Sequence, residues 1–226
     1  MKKIFFICFL FLSVITAFGQ NYTIQQYLNI KSANSPTFSA DGKRIAYLTN
    51  VTGTSQIWMM DLTNGAPKQI TNYDDNVSFV KWSPAGNGLV FGKAKGGDEN
   101  TQIYWMSNDG SKIKPLTDMP TIRHNFGGWS ENGKRIYYAS NYRDKNYFDI
   151  YSREFDANDD TKTPIENVLY KQDGNNEVAA ISPDDSKLII SRAGTELSLD
   201  NDLYLLDTHT NQVTLLTKHV GSAQFG

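Results

Sequence analysis

The chain has 226 residues, with 22 Lys and Arg against 24 Asp and Glu, a formal net charge of −2, 20% charged and 12% aromatic residues. That is globular composition, and the absence of a basic excess argues against a nucleic-acid partner. The single cysteine, Cys8, falls in the first apolar stretch, so the mature chain is expected to have neither a disulfide framework nor a thiol nucleophile.

Met1-Lys2-Lys3 is a short positive start, and Ile4 to Ile15 is an apolar run broken only by Ser13. Ala17-Phe18-Gly19 then sets small residues before Gln20. Residues 1–19 read as a secretory signal peptide, too short to span a membrane comfortably. An exported protein, periplasmic or extracellular and without a stable membrane anchor, is expected. Residues 20–34 form a lead-in. Thr23 with Gln26 predicts a capping box, and Ile24, Tyr27 and Leu28 share one face of a short helix that Asn34-Ser35-Pro36 ends.

From there one pattern repeats. Phe38-Ser39-Ala40-Asp41-Gly42 returns as Trp82-Ser83-Pro84-Ala85-Gly86, Trp129-Ser130-Glu131-Asn132-Gly133 and Ile181-Ser182-Pro183-Asp184-Asp185, the serines being 44, 47 and 52 residues apart. Each copy is a tight polar turn between two strands. Gly reaches positive φ freely, and Asp185 takes its place in the fourth copy, Asp being one of the few other residues that tolerate that conformation. Two landmarks keep step with the turn. One is Gln56-Ile57-Trp58, Gln102-Ile103-Tyr104, Asp149-Ile150-Tyr151 and Asp202-Leu203-Tyr204. The other is Gln69-Ile70-Thr71, Pro115-Leu116-Thr117, Val168-Leu169-Tyr170 and Leu215-Leu216-Thr217.

Four short strands per unit, at this period, predict the blades of a β-propeller. The fold expected is all-β: a partial β-propeller spanning 35–226, of four four-stranded antiparallel blades at about 35–71, 76–117, 123–170 and 176–217, plus the start of a fifth from 221, with the lead-in helix on its edge. In blade one the strands fall near Pro36–Phe38, Arg44–Thr49, Gln56–Leu62 and Lys68–Thr71. Ile57 and Met59 face one way and Trp58 and Met60 the other, which predicts a sheet covered on both sides. Because repeats bury their faces only against neighbours, a chain stopping inside a fifth blade is expected to be the N-terminal piece of a longer protein.

No Gly-x-Ser-x-Gly elbow occurs. His124, His209 and His219 sit in unrelated places without metal spacing, and Asp156-Ala157-Asn158-Asp159-Asp160 lacks the glycine and closing glutamate of a calcium loop, so it reads as a polar turn. No catalytic residue, metal or cofactor is expected. The candidate substrate contacts are Asp98 and Glu99, in the loop Lys95-Gly96-Gly97-Asp98-Glu99-Asn100, and Arg143 with Asp144, in the loop Asn141–Asn146. The first two could meet a cationic group. The second two read as a structural ion pair before a ligand clamp.

The run Gly96-Gly97-Asp98-Glu99-Asn100-Thr101-Gln102-Ile103-Tyr104 closely resembles a propeller segment of the prolyl oligopeptidase family of serine peptidases. So do Arg123-His124-Asn125 leading to Trp129-Ser130, Ala139-Ser140-Asn141-Tyr142-Arg143-Asp144 and Phe148-Asp149-Ile150-Tyr151. The likeness covers nearly the whole mature chain. It implies a propeller seated over an α/β-hydrolase domain that bears the Ser, Asp and His, limits access to short peptides and cleaves through an acyl-enzyme. Peptides would be the partners of that hydrolase domain, and no position of this chain matches its triad. The double glutamate of the dipeptidyl-peptidase branch is also missing, so acylaminoacyl-peptidase-like or oligopeptidase-like members are the better likeness. A different class fits the same repeats: a periplasmic propeller resembling TolB, which binds proteins and does no chemistry, although a TolB-like chain would place a separate α/β domain before blade one. A propeller for a sugar or other small ligand is the third reading.

Overall fold

A computed structural model describes residues 22–157, 166–193 and 200–226. The expected signal segment Met1–Gly19 lies outside the described residues, as does the acidic turn beyond Ala157. The chain divides into two compact units, 1–31 and 32–226.

In the first unit, helix α1 (Ile24–Leu28) carries the expected capping box. The Gln26 amide donates to Thr23 Oγ1 at 3.2 Å, and the Thr23 amide donates to Gln26 Oε1 at 2.8 Å. Two otherwise orphaned donors are thereby satisfied.

The second unit is built of four antiparallel four-stranded blades, the last two joined into one eight-stranded sheet by a single parallel bridge between Phe148 and Asn175. Blade one is β1 (Ala33–Phe38), β2 (Arg44–Thr49), β3 (Gln56–Asp61) and β4 (Lys68–Gln69). Blade two is β5 (Val77–Trp82), β6 (Leu89–Lys93), β7 (Gln102–Met106) and β8 (Ile113–Pro115). Blade three is β9 (His124–Trp129), β10 (Arg135–Asp144), β11 (Tyr147–Glu154) and β12 (Glu166–Tyr170). Blade four is β13 (Asn175–Ile181), β14 (Lys187–Ala193), β15 (Asn201–Asp207) and β16 (Val213–Leu215). Two boundaries differ from expectation. Asn34-Ser35-Pro36 lies inside β1, where a register shift and φ 51 at Ser35 absorb it. Proline is tolerated there because β1 pairs only with β2. The expected loop Asn141–Asn146 is mostly strand, since the β10–β11 ladder resumes at Asp144 and Tyr147 beyond a register shift.

The repeated turn works as its residues suggest. In blade one the Ser39 hydroxyl donates to Asp41 Oδ1 at 2.6 Å and accepts the Arg44 amide at 3.0 Å, and the Gly42 amide closes on the Ser39 carbonyl at 2.8 Å. Ser130 and Ser182 repeat this with Asn132 and Asp184. Gly42, Gly86, Gly133 and Asp185 all have φ between 60 and 72. The turns share one rim and touch in sequence. A Cβ at Gly86 would come 3.3 Å from Ala40 Cβ, and one at Gly133 would come 2.4 Å from Ser83 Oγ.

The other landmarks fasten the chain. Thr71, Thr117 and Thr217 each accept, through Oγ1, the amide of Ile57, Ile103 or Leu203 at 2.8–2.9 Å. Gln56 and Gln102 are buried amides that hold the segment leading to the next blade. Gln102 accepts from the Met119 amide at 3.0 Å and donates to the Met119 and Ile122 carbonyls at 2.9 and 2.8 Å. Each next blade then joins through a backbone bond: Val77 to Ser55 O, His124 to Thr101 O, and Phe148 to Gly174 O. The stretch after Thr217 has no ladder strand of its own. It is fastened through Asn201, whose amide donates to Ala223 O and whose side chain exchanges hydrogen bonds with Phe225.

Three apolar layers stand between successive sheets. Ala46, Leu48, Ile57, Val80 and Phe91 fill the first, Val90, Ile103, Ile136 and Tyr138 the second, and Tyr137, Ile150, Leu188 and Ile190 the third. Each buried Val, Leu, Ile or Phe among them contributes about 1.5–3 kcal/mol. Trp58 and Met60, on the face of blade one away from blade two, are only half-buried.

Candidate functional site

The rim opposite the serine turns is made by the loops between second and third strands and by the links between blades. All four sequence candidates lie there, on blades two and three, and they do not converge. Asp98 is exposed and accepts the Asn100 amide at 2.9 Å. Glu99 pairs with Arg123 at 3.3 Å, both largely exposed, an arrangement that contributes under about 1 kcal/mol. Asp144 caps the β10–β11 turn by accepting the Asn146 amide at 2.9 Å.

Arg143 pairs not with its neighbour Asp144 but with two more distant carboxylates. Nε and Nη2 reach Asp149 at 2.6 and 2.9 Å, and Nη1 reaches Asp173 at 2.8 Å. These carboxylates hold the guanidinium above its ordinary pKa. Asp149, 1% exposed, occupies the landmark place of Gln56 and Gln102. Sequence reading missed it, although an acid where two repeats carry a glutamine was a visible signal. Arg192 also donates to the Asp173 carbonyl at 3.1 Å, so the rim is laced from blade three to blade four.

Between blades two and three this rim opens into a cleft of about 240 Å³ lined by His124, Tyr138, Ser140, Tyr151, Arg153 and Glu166, among others. The Tyr138 hydroxyl and Arg153 Nη1 both donate to Glu166 Oε2. Ser140 Oγ is buried without a partner. Ser140 and His124 are cross-strand neighbours, yet the imidazole turns Nδ1 to the Thr101 carbonyl at 3.3 Å. Burial pushes its pKa down to about 4, so the ring is neutral at pH 7. A serine and a histidine side by side without a mutual hydrogen bond do not make a nucleophile–base couple. Among the described residues no group of His, Cys, Asp and Glu is placed to hold a metal ion. No helix among them is long and apolar enough to cross a membrane.

Radially packed blades joined by polar clasps, with clefts between them, define a β-propeller. Residues 18–224 match the TolB beta propeller domain family (PD40), and the chain belongs to that family. It is similar to the uncharacterized peptidase YuxL of Bacillus subtilis, with 28% identity over 157 residues, 64% of this chain and 22% of that one. It is also similar to the Tol-Pal system protein TolB of Francisella tularensis subsp. mediasiatica, with 29% identity over 83 residues, 37% of this chain and 19% of that one. The chain thus spans about a fifth of the length of these relatives. Its fold recurs in a prolyl endopeptidase structure at 14% identity and TM-score 0.62, covering 86% of this chain and 30% of the other. The propeller is therefore related both to peptidase propellers and to TolB.

Proposed function

We propose that this propeller is the substrate-gating module of an exported serine peptidase of the prolyl oligopeptidase type, placed N-terminal to the α/β-hydrolase domain that cleaves the peptide. The observation that carries this reading is the extent of the likeness to YuxL, 157 aligned residues against 83 for TolB. The rim built from Gly96–Asn100, Arg123 and Asn141–Asp149 supports it, being polar, charged and laced across blades. Peptides are the ligand class, with Asp98, Glu99, Arg143 and Asp144 on the surface they pass.

A TolB-like protein-binding module is the second reading, favoured by the family match over 18–224. The test is a fluorophosphonate probe applied to the natural gene product in periplasmic and culture fractions, together with hydrolysis of blocked short peptides. Labelling of a serine outside residues 1–226, with peptide cleavage, is expected. An unlabelled product that captures a periplasmic protein would replace the peptidase reading with the TolB-like one.

A further inference from the structure

The blade junctions are not equivalent on the serine-turn rim. The residue before the turn serine is Trp82 in blade two and Trp129 in blade three, but Ile181 in blade four. Trp82 fills its junction: the Arg44 guanidinium of blade one lies 5.1 Å over its ring and donates to the Asn108 carbonyl at 2.8 Å. Trp82 Nε1 donates to Asn108 Oδ1 at 3.1 Å. Trp129 packs on Phe126 and Phe155 in the next junction. Ile181 is smaller and lies against Gly128, where a Cβ would come 2.5 Å from its Cδ1. On the same rim a cleft of about 500 Å³ between blades three and four is lined by Arg135, Tyr137, Asp184 and Asp185, among others.

Three side chains in that cleft each keep one buried polar atom without a hydrogen bond of ordinary geometry. Arg135 opens β10 as Arg44 opens β2, and it pairs with Glu154, but its Nε has no acceptor. Tyr137 is 0% exposed, and its hydroxyl has no hydrogen bond of ordinary geometry although Arg135 lies close by. Asp185 Oδ1 likewise has no hydrogen bond of ordinary geometry, although the Glu131 backbone lies close by. Asp185 stands where the other repeats have glycine, at φ 60. At Gly133 a side chain would point into the preceding blade's turn, and by the same geometry the Asp185 carboxylate faces blade three. A buried polar atom without a partner is costly, so three in the walls of one cleft point to a ligand.

We propose that the cleft between blades three and four binds a polyhydroxylated ligand of mono- or disaccharide size. A hydroxyl is donor and acceptor at once, so one ring hydroxyl can donate to Asp185 Oδ1 while accepting from Arg135 Nε, and Tyr137 can serve as either. The side chains of Asn167 and Asn211 line the same cleft and supply further amide groups, and half-exposed Val168 offers a face for ring C–H groups. A free anion would meet Asp184 and Asp185, and a free cation would meet Arg135. The volume suits a small ligand. This site is separate from the peptide-facing rim and does not depend on the peptidase reading.

The test is saturation-transfer NMR on the chain as exported, with glucose, galactose, N-acetylglucosamine and trehalose as probes and acetate and glycine betaine as charged controls. At least one saccharide is expected to bind. Asp185→Gly, which restores the repeat's glycine, should weaken it at least about tenfold, the loss of a charged hydrogen bond, and Tyr137→Phe, which removes one cleft hydroxyl, should weaken it about threefold or more. Asp185→Gly should leave the unfolding midpoint unlowered. If it does not, Tyr137→Phe decides the matter. Absence of saccharide binding at millimolar concentration, saccharide binding unchanged in both variants, or binding of acetate or betaine instead would each overturn the proposal.

Discussion

Arg143 holds the buried carboxylate of Asp149 by two parallel hydrogen bonds, 2.6 and 2.9 Å long. In blades one and two the same place carries a glutamine that clasps the link to the next blade. Blade three has an ion pair there instead. Removing one partner of such a pair leaves an uncompensated charge at a site 1% exposed. Arg143→Ala is expected to destabilise the protein by about 3 kcal/mol in urea titration. Adding Asp149→Gln, which restores the neutral amide of the other blades, should recover much of that loss. A cost below about 0.5 kcal/mol for Arg143→Ala would show the pair to be an ordinary surface bridge.

Thr117 is the second test of the clasps. Its hydroxyl accepts the Ile103 amide at 2.9 Å inside the core, and Ile103 is 0% exposed. Thr117→Val keeps the shape and orphans that amide, so a loss of about 1–3 kcal/mol is expected. Thr117→Ser keeps the acceptor and should cost clearly less. Equal losses for the two variants would mean that the methyl group, not the hydroxyl, matters at this site.

Two histidines should make stability depend on pH in opposite senses. His124 is held down to about 4 by burial, against 6.5 for an ordinary histidine. Between those values the unfolded chain binds the extra proton, so stability should fall as pH drops through that window, by up to about 3 kcal/mol. His219 is pushed upward, first by the Thr217 carbonyl at 3.0 Å and then by Asp200 at 3.0 Å. Its contribution is complete below the unfolded value of 6.5 and is lost as pH rises through the folded value. Urea midpoints from pH 4 to 8 should therefore lose their acid-side decline in His124→Asn and their alkaline-side decline in His219→Gln. Unchanged profiles in both variants would place the titrating groups elsewhere.

The repeat was legible because its parts are local. The serine turn is made within five residues, and the capping box of α1 within three, so residue types alone announce them. Asp185 could be read as a glycine substitute for the same reason. The clasps were seen only as recurring letters. Gln102 meets Met119 across 17 residues of chain, and nothing at position 102 names that partner. Arg143 was legible as an ion-pair residue, but its neighbour Asp144 faced a turn amide while Asp149, across the hairpin, received the guanidinium. The cleft beside Asp185 was not legible at all. It is lined by residues of two blades, and it shows only when whole blades are stacked.

The stacking of the serine turns gives the sharpest check on the architecture, because two of their glycines differ only in what surrounds them. Gly42 and Gly133 have φ of 67 and 64. A side chain at either must adopt the left-handed conformation, at about 1–2 kcal/mol. At Gly42 a Cβ would meet nothing within 4 Å. At Gly133 it would come 2.4 Å from Ser83 Oγ and 2.7 Å from Ala85 Cβ, both on the preceding blade's turn. Overpacking of that kind adds about 1–3 kcal/mol. Gly133→Ala should thus be more destabilising than Gly42→Ala by at least about 1 kcal/mol, measured by thermal or urea unfolding of the same chain. Shortening residue 83 by Ser83→Gly in the Gly133→Ala background should return part of the difference. If the two glycine variants lose equal stability, the turns of blades two and three are not in contact, and the radial stacking that sets all four on one rim is wrong.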